Sequence, residues 1–135
     1  MRFLGVDVGQ ARTGLALSDP LGITCRPLDV VHEKDPDAIV AAVLAAAERE
    51  RADTIVVGLP RPLSGGSNQQ LQTVETFVQK LASSSSHPVA TWDERFTSKL
   101  ARGSRPRGVP IDSVAACHML QGYLDRRSAR PREEE

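Results

Sequence analysis

The chain has 135 residues, a formal net charge of zero and 40% hydrophobic residues, which suits one domain with a core large enough to fold without staples. Cys25 and Cys117 are too few for a disulfide scaffold and read as cytosolic thiols with packing roles. No apolar run approaches the roughly 18 residues of a membrane span, and the N-terminal MRFLGVDVG reaches an acid at Asp7 without the apolar core of a signal peptide, so a soluble cytoplasmic protein is expected.

Residues 2–8 (RFLGVDV) read as an apolar strand ended by Gly9, and residues 13–18 (TGLALS) as a second, followed by the turn Asp19-Pro20-Leu21-Gly22. A third strand over 25–31 accommodates Pro27 best at a sheet edge, and three strands joined by short turns suggest an antiparallel meander. The period then changes. Asp35-Pro36 is a helix start, with Asp35 as N-cap and Pro36 at the first helical position, and Ile39, Val40, Val43, Leu44 and Ala47 share one face of a helix reaching Arg51. Residues 54–59 (TIVVGL) are continuously apolar, as in a strand covered on both sides. A loop over 61–67 leads into a helix over 68–82, the serines 83–86 form a surface turn, and 88–92 (PVATW) is a strand ending in Asp93-Glu94-Arg95. Residues 97–109 are basic and broken by Gly103, Pro106 and Gly108. A last helix spans 110–126, and 127–135 is a charged tail expected to fray. The order βββ-α-β-α-β-α-α implies a mixed sheet with helices on its faces, in a single domain over 1–126.

Several acids interrupt this pattern. Asp7 lies in a strand that is otherwise apolar, where a carboxylate is expensive unless paired, protonated or metal-bound; a satisfied buried Asp or a turn cap before Gly9 is the plainer alternative. Asp93 and Glu94 close the strand at Trp92, and successive strand residues face opposite ways, so both reach one site only if the strand has already ended. Asp112 opens the last helix, where the helix dipole favours an acid in any case. Carboxylates brought together repel, and a divalent cation relieves the repulsion. Oxygen ligands without His or Cys select Mg²⁺ or Mn²⁺, and such a site suits in-line displacement at phosphorus with two ions.

Arg12 either binds phosphate or braces an acid. Gly65-Gly66-Ser67 before a helix can hold phosphate but reads more simply as a loop, and His118, rotated about 240° from Asp112 on the last helix, reads as a packing residue. Zero net charge conceals an asymmetry: from Arg95 to Arg132 nine bases face only Asp112 and Asp125, about +7, against about −7 for the rest. Arg102, Arg105 and Arg107 form a basic loop between Glu94 and Asp112 that would attract a phosphodiester backbone. With five aromatic residues in the chain, a base-stacking surface is not expected.

Four blocks, LGVDVGQARTGLALSDPLG (4–22), IVVGLPRPLSGGS (55–67), WDERFTS (92–98) and IDSVAACHMLQGYLD (111–125), resemble those of the YqgF/RuvX family, whose members carry the names of Holliday junction resolvases or pre-16S rRNA nucleases. The resemblance implies a ribonuclease H-like α/β fold: a five-stranded mixed sheet, its first three strands antiparallel, with helices on both faces. It further implies a nuclease acting with Mg²⁺ or Mn²⁺ on four-way junction DNA or precursor rRNA. Asp7, Glu94 and Asp112 match the family's acids and are the implied catalytic and metal-binding residues, with Asp93 as the substitute for Glu94. Arg12, Ser18 and Arg95 match positions that orient acids or phosphate, and Arg12, Arg95, Arg102, Arg105 and Arg107 are the implied nucleic-acid contacts.

The chain departs from the family between Thr97 and Pro110, where a longer helix and flexible loop are compressed to KLARGSRPRGV, which bears on substrate choice. A nucleotide-binding protein of the actin and sugar-kinase type shares the Asp-x-Gly hairpin but needs two such domains. The competing reading from another class is a non-catalytic nucleic-acid-binding or ribosome-assembly module that keeps the fold. Oligomeric state is open, although a two-fold junction is cut most simply by a homodimer.

Overall fold

The structure is a computed structural model that describes residues 1–96 and 111–129. Strands β1 (Phe3–Val8), β2 (Thr13–Ser18) and β3 (Cys25–Val31) form the expected antiparallel meander. β4 (Thr54–Leu59) pairs parallel to β1, and β5 (Val89–Asp93) parallel to β4, giving the order β3-β2-β1-β4-β5. Pro27 therefore lies on an edge strand, where a missing N–H is tolerated. β4 lies between two strands with all six residues buried, which is why its sequence shows no alternation.

Helices α1 (Pro36–Arg49) and α2 (Gln69–Ser84) cover one face of the sheet with Ile39, Val40, Val43, Leu71, Val74, Phe77 and Leu81. Helix α3 (Ile111–Ala129) covers the other, packing Ala116, Met119, Leu120 and Leu124 against Phe3, Ala16 and Val56. Helices on both faces of a mixed sheet agree with the expectation.

The helix ends differ by a few residues from the expected ones, each for a local reason. Asp35 caps α1, accepting from the Ala38 N–H at 3.2 Å. The helix stops at Arg49 rather than Arg51 because Arg51 adopts a left-handed conformation (φ 57°) and the Ala52 N–H bonds back to the Ala47 carbonyl at 2.9 Å. In α2, Asn68 is the cap, accepting from the Leu71 N–H at 2.8 Å. Ser83 and Ser84 belong to this helix instead of a turn; the Ser83 hydroxyl donates to the Lys80 carbonyl at 3.0 Å. α3 runs three residues past the expected Arg126, and the Arg127 guanidinium stands over the Phe3 ring at 5.1 Å. The first residues of the expected tail are thus helical. Residues 97–110, where the penultimate helix of the expected order falls, and 130–135 lie outside the described residues.

α3 approaches the sheet closely because glycines lie beneath it. A Cβ on Gly14 would collide with the backbone carbonyl of Asp112, one on Gly5 would come within 2.9 Å of Leu120 Cβ, and one on Gly58 within 2.9 Å of Met119 Cγ. The Ser113 hydroxyl donates to the Leu28 carbonyl at 2.7 Å and Gln121 Nε2 to the Ile23 carbonyl at 2.8 Å, tying the helix to β3 and the turn before it. Gly14→Ala is expected to push the first turn of α3 off the sheet and to destabilise the protein by about 1–3 kcal/mol, read as a thermal midpoint lower by roughly 5–10 °C; an unchanged midpoint would show that the helix start adjusts freely.

Candidate active site

Side-chain alternation decides which acids share a face. Along β1, Phe3 and Gly5 face α3, whereas Leu4, Val6 and Val8 join the core under α1 and α2, so Asp7 falls on the α3 face. Asp7 is in register with Gly14, the residue over which the Asp112 backbone passes. On β5, Ala90 and Trp92 face α3. Glu94 follows in a single 3₁₀ turn (Glu94–Phe96) and lays its side chain over Gly58, where an added Cβ would stand 3.0 Å from Glu94 Cγ and 2.9 Å from Met119 Cγ of α3. Asp7, Glu94 and Asp112 therefore come from three elements to one face of the sheet, at the carboxyl ends of β1, β4 and β5.

They share this face without closing into a cluster: among the described residues, no three His, Cys, Asp or Glu side chains gather tightly enough to hold a metal ion. The countercharge on Asp112 is Arg12, whose Nε lies 3.2 Å from Oδ2. Of the two roles open to Arg12 in the sequence, the structure displays the bracing one. Its side chain is more than half exposed (57%), against 28% for Asp112, so this is a pair at the solvent boundary rather than a buried bond.

Asp93 is committed elsewhere. Arg95 grips it with Nη2 at 2.7 Å from Oδ2, Nε at 3.0 Å from the same oxygen, and its backbone N–H at 2.9 Å from Oδ1. Arg61 adds a second guanidinium, Nε at 3.7 Å. Hydrogen bonds from the Arg95 side chain, reinforced by its N–H and charge and by the charge of Arg61, hold the Asp93 carboxyl below its ordinary range against the opposing effect of burial. The Arg95 guanidinium is shifted up in turn by its bond to Asp93. The two acids that close β5 thus do different work: Glu94 faces α3, and Asp93 anchors two arginines.

Arg61 escaped the sequence reading because Pro60 and Pro62 flank it and mark a loop. Its contact with Asp93 follows from the pairing of Leu59 with Asp93, which only the strand register reveals. Ser18 does not reach the acids: its hydroxyl accepts from the Phe3 N–H at 2.8 Å and donates to the Asp19 carbonyl at 2.9 Å, at the opposite end of β1. Residues 65–67 form a loop, as expected, with Asn68 satisfying the helix start. On α3, His118 Nε2 is buried and has no hydrogen-bond partner among the described residues. A cleft of about 530 Å³ opens on the other face, between α1 and α2, lined by Gln10, Lys34, Gln69 and Thr73 among others; none of the candidate acids lines it. Arg102, Arg105 and Arg107 lie outside the described residues.

A five-stranded mixed sheet in this order, with helices on both faces, is the ribonuclease H-like architecture. RuvC of Thermus thermophilus, solved in complex with a Holliday junction substrate, matches it with a TM-score of 0.63 over 96% of this chain and 97% of its own, at 19% identity. The chain belongs to the RuvX family, described as Holliday junction resolvase, whose profile matches residues 1–126. A relative from Moorella thermoacetica is 39% identical over 134 residues, spanning 93% of this chain and 96% of its own, and one from Symbiobacterium thermophilum is 37% identical over 142 residues, with 98% of each covered; both bear the name "Putative pre-16S rRNA nuclease". Among the described residues, no helix is long and apolar enough to cross a membrane.

The ion pairs of Asp93 generate a pH dependence with a definite sign. Because its folded pKa is lowered, the stabilisation is complete above the unfolded value of about 3.9 and is lost as the pH falls through the lower folded value. Thermal midpoints of the wild type are therefore expected to drop more steeply below about pH 4 than those of Asp93→Asn, with Asp93→Asn about 1 kcal/mol less stable at neutral pH. Parallel pH profiles for the two proteins would remove Asp93 as an energetic anchor.

Proposed function

We propose that the protein is a divalent-metal-dependent nuclease that hydrolyses phosphodiester bonds in structured nucleic acid, either four-way junction DNA or precursor 16S rRNA. The observation that carries this reading is the placement of Asp7, Glu94 and Asp112 on one face of a ribonuclease H-like sheet in a member of the RuvX family. Three carboxylates with no thiolate or imidazole among them match the hard oxygen donors that Mg²⁺ or Mn²⁺ prefers. Asp7, Glu94 and Asp112 would hold two such ions. Bound there, the ions supply activation of water and stabilisation of the leaving oxygen for in-line displacement, giving a 5′-phosphate and a 3′-hydroxyl.

The remaining residues bind and orient. Arg12 neutralises Asp112 at the solvent boundary, limiting repulsion between the carboxylates. Arg61 and Arg95 remain partly exposed (39% and 31%) while tethered to Asp93, and a guanidinium presents five N–H donors. Arg95 commits Nε and Nη2 to Asp93, so among the described residues Nη1 is the nitrogen left for a phosphate oxygen. Arg102, Arg105 and Arg107 would grip backbone farther along the strand, and a homodimer would match a two-fold junction.

The decisive measurement is a cleavage panel. Purified protein with Mn²⁺ or Mg²⁺ is offered four-way junction DNA, duplex DNA, single strands and a pre-16S rRNA fragment, beside Asp7→Asn. Cleavage of the junction or the rRNA fragment is expected from the wild type, and binding without cleavage from Asp7→Asn. Failure to cut any substrate, or equal cutting by a contaminant-free Asp7→Asn preparation, would overturn the proposal in favour of a non-catalytic binding module. Binding itself reports the arginines: Arg61→Ala with Arg95→Ala, or alanine at Arg102, Arg105 and Arg107 together, should flatten the salt dependence of affinity by roughly one unit of slope per lost phosphate contact. An unchanged slope would place the contact surface elsewhere.

A further inference from the structure

Cys25 and Cys117 are both free, as their number suggested, but they are not separate packing residues. Their Sγ atoms lie 3.0 Å apart, and the Cys25 thiol also reaches the Cys117 carbonyl at 3.1 Å. Cys25 opens β3, the edge strand, while Cys117 lies in the middle of α3, so 92 positions of sequence separate two sulfurs that touch. Neither is fully buried, and Cys25 lines a hollow of about 300 Å³ together with Ser18, Asp19, Thr24 and Arg26, which gives a small polar oxidant a route to the pair. Nothing in the proposed nuclease chemistry uses either thiol.

We propose that Cys25 and Cys117 are an oxidative modification site: a dithiol that a peroxide converts reversibly to an intramolecular disulfide, stapling the edge strand to the helix that carries Asp112. A disulfide needs its sulfurs about 2.0 Å apart, so closure requires an approach of roughly 1 Å, within the reach of side-chain rotation. The hydrogen bond between the thiols favours Cys117 as the thiolate and pushes Cys25 upward as the proton holder, burial adding to the latter. The Cys117 thiol gives up its proton and the thiolate attacks one oxygen of hydrogen peroxide; the O–O bond breaks, the departing hydroxide takes up that proton as water, and Cys117 becomes a sulfenic acid. The Cys25 sulfur then attacks the Cys117 sulfur, the S–O bond breaks, and its oxygen leaves as water with the Cys25 proton. The sum is two thiols and one peroxide giving one disulfide and two waters. A thiol reductant reverses it by exchange.

The tie is well placed to matter. The Ser113–Leu28 and Gln121–Ile23 hydrogen bonds already link α3 to β3 and the turn before it, and a bond at Cys117 falls between them. Closing so long a loop restricts the unfolded chain strongly, and a rise in thermal midpoint of roughly 10 °C is expected on oxidation.

The test uses the full chain treated with stoichiometric hydrogen peroxide, followed by thiol titration, peptide mapping without reductant and thermal melting. The expected result is loss of both thiols, a peptide joining Cys25 to Cys117 within a monomer, the higher midpoint, and return to the starting state with a thiol reductant. Cys25→Ser and Cys117→Ser should each remove the cross-link and the peroxide-dependent midpoint shift. Reduced wild type alone should also bind a trivalent arsenical through both sulfurs, a check that needs no oxidation step. Thiols that survive peroxide, stop at sulfinic acid or link two chains would overturn the proposal, as would a midpoint that does not rise on cross-linking.

Discussion

The close approach of α3 to the sheet is the constraint on which the rest depends. A helix packed through ordinary side chains is held off a sheet by them; here its first turn comes down onto Gly14, where no side chain could fit beneath the Asp112 carbonyl. Gly5 and Gly58 extend the seat under Leu120 and Met119. The consequence is local and chemical. The backbone of Asp112, on the helix, is brought over Gly14, the register partner of Asp7, and the same glycine-lined track leaves room at Gly58 for Glu94 to lie across β4. Small residues in the sheet thus serve to position carboxylates that no continuous stretch of chain could bring together.

Charge is arranged around that seat with a clear division. On the α3 face, Arg12 balances Asp112 at the solvent boundary. On the other side of β5, Asp93 binds Arg95 and Arg61. Asp93 and Glu94 are adjacent and chemically similar, yet one anchors cations and the other lies over Gly58 on the α3 face. The pleat of β5 separates them, since it continues through Asp93 and the 3₁₀ turn begins only at Glu94. The pair therefore supplies both a carboxylate for the proposed site and a holder for the arginines beside it, from one short peptide.

Most of the architecture was legible because its signals are local. The meander over β1 to β3, the edge position of Pro27, the fully covered β4 and the Asp35-Pro36 helix start each follow from a few consecutive residues and their hydrogen-bonding capacity. The misjudged boundaries mark where a local pattern lacked the deciding contact. Arg51 gave no sign, as a non-glycine residue, of the left-handed conformation that ends α1. Ser83 and Ser84 read as part of a turn until the Ser83 hydroxyl is seen bonding back to the Lys80 carbonyl along α2. Arg127 looked like part of a solvated tail, although Phe3, more than a hundred positions earlier, offers its ring.

The site divides along the same line. By itself the sequence determined the chemical types: strand and helix acids at Asp7, Glu94 and Asp112, a basic stretch between the last two, and the family blocks in which they stand. These depend on residue identity and short spacing. Only the tertiary structure decided which acids share a face, that Arg12 braces Asp112, that Asp93 is bound by Arg95 and Arg61, that Ser18 fastens a turn, and that two thiols 92 positions apart are in contact. Each of these rests on strand register or on the docking of α3. Register and docking are set by pairing across long stretches of chain, where a shift of one residue would turn every side chain to the opposite face.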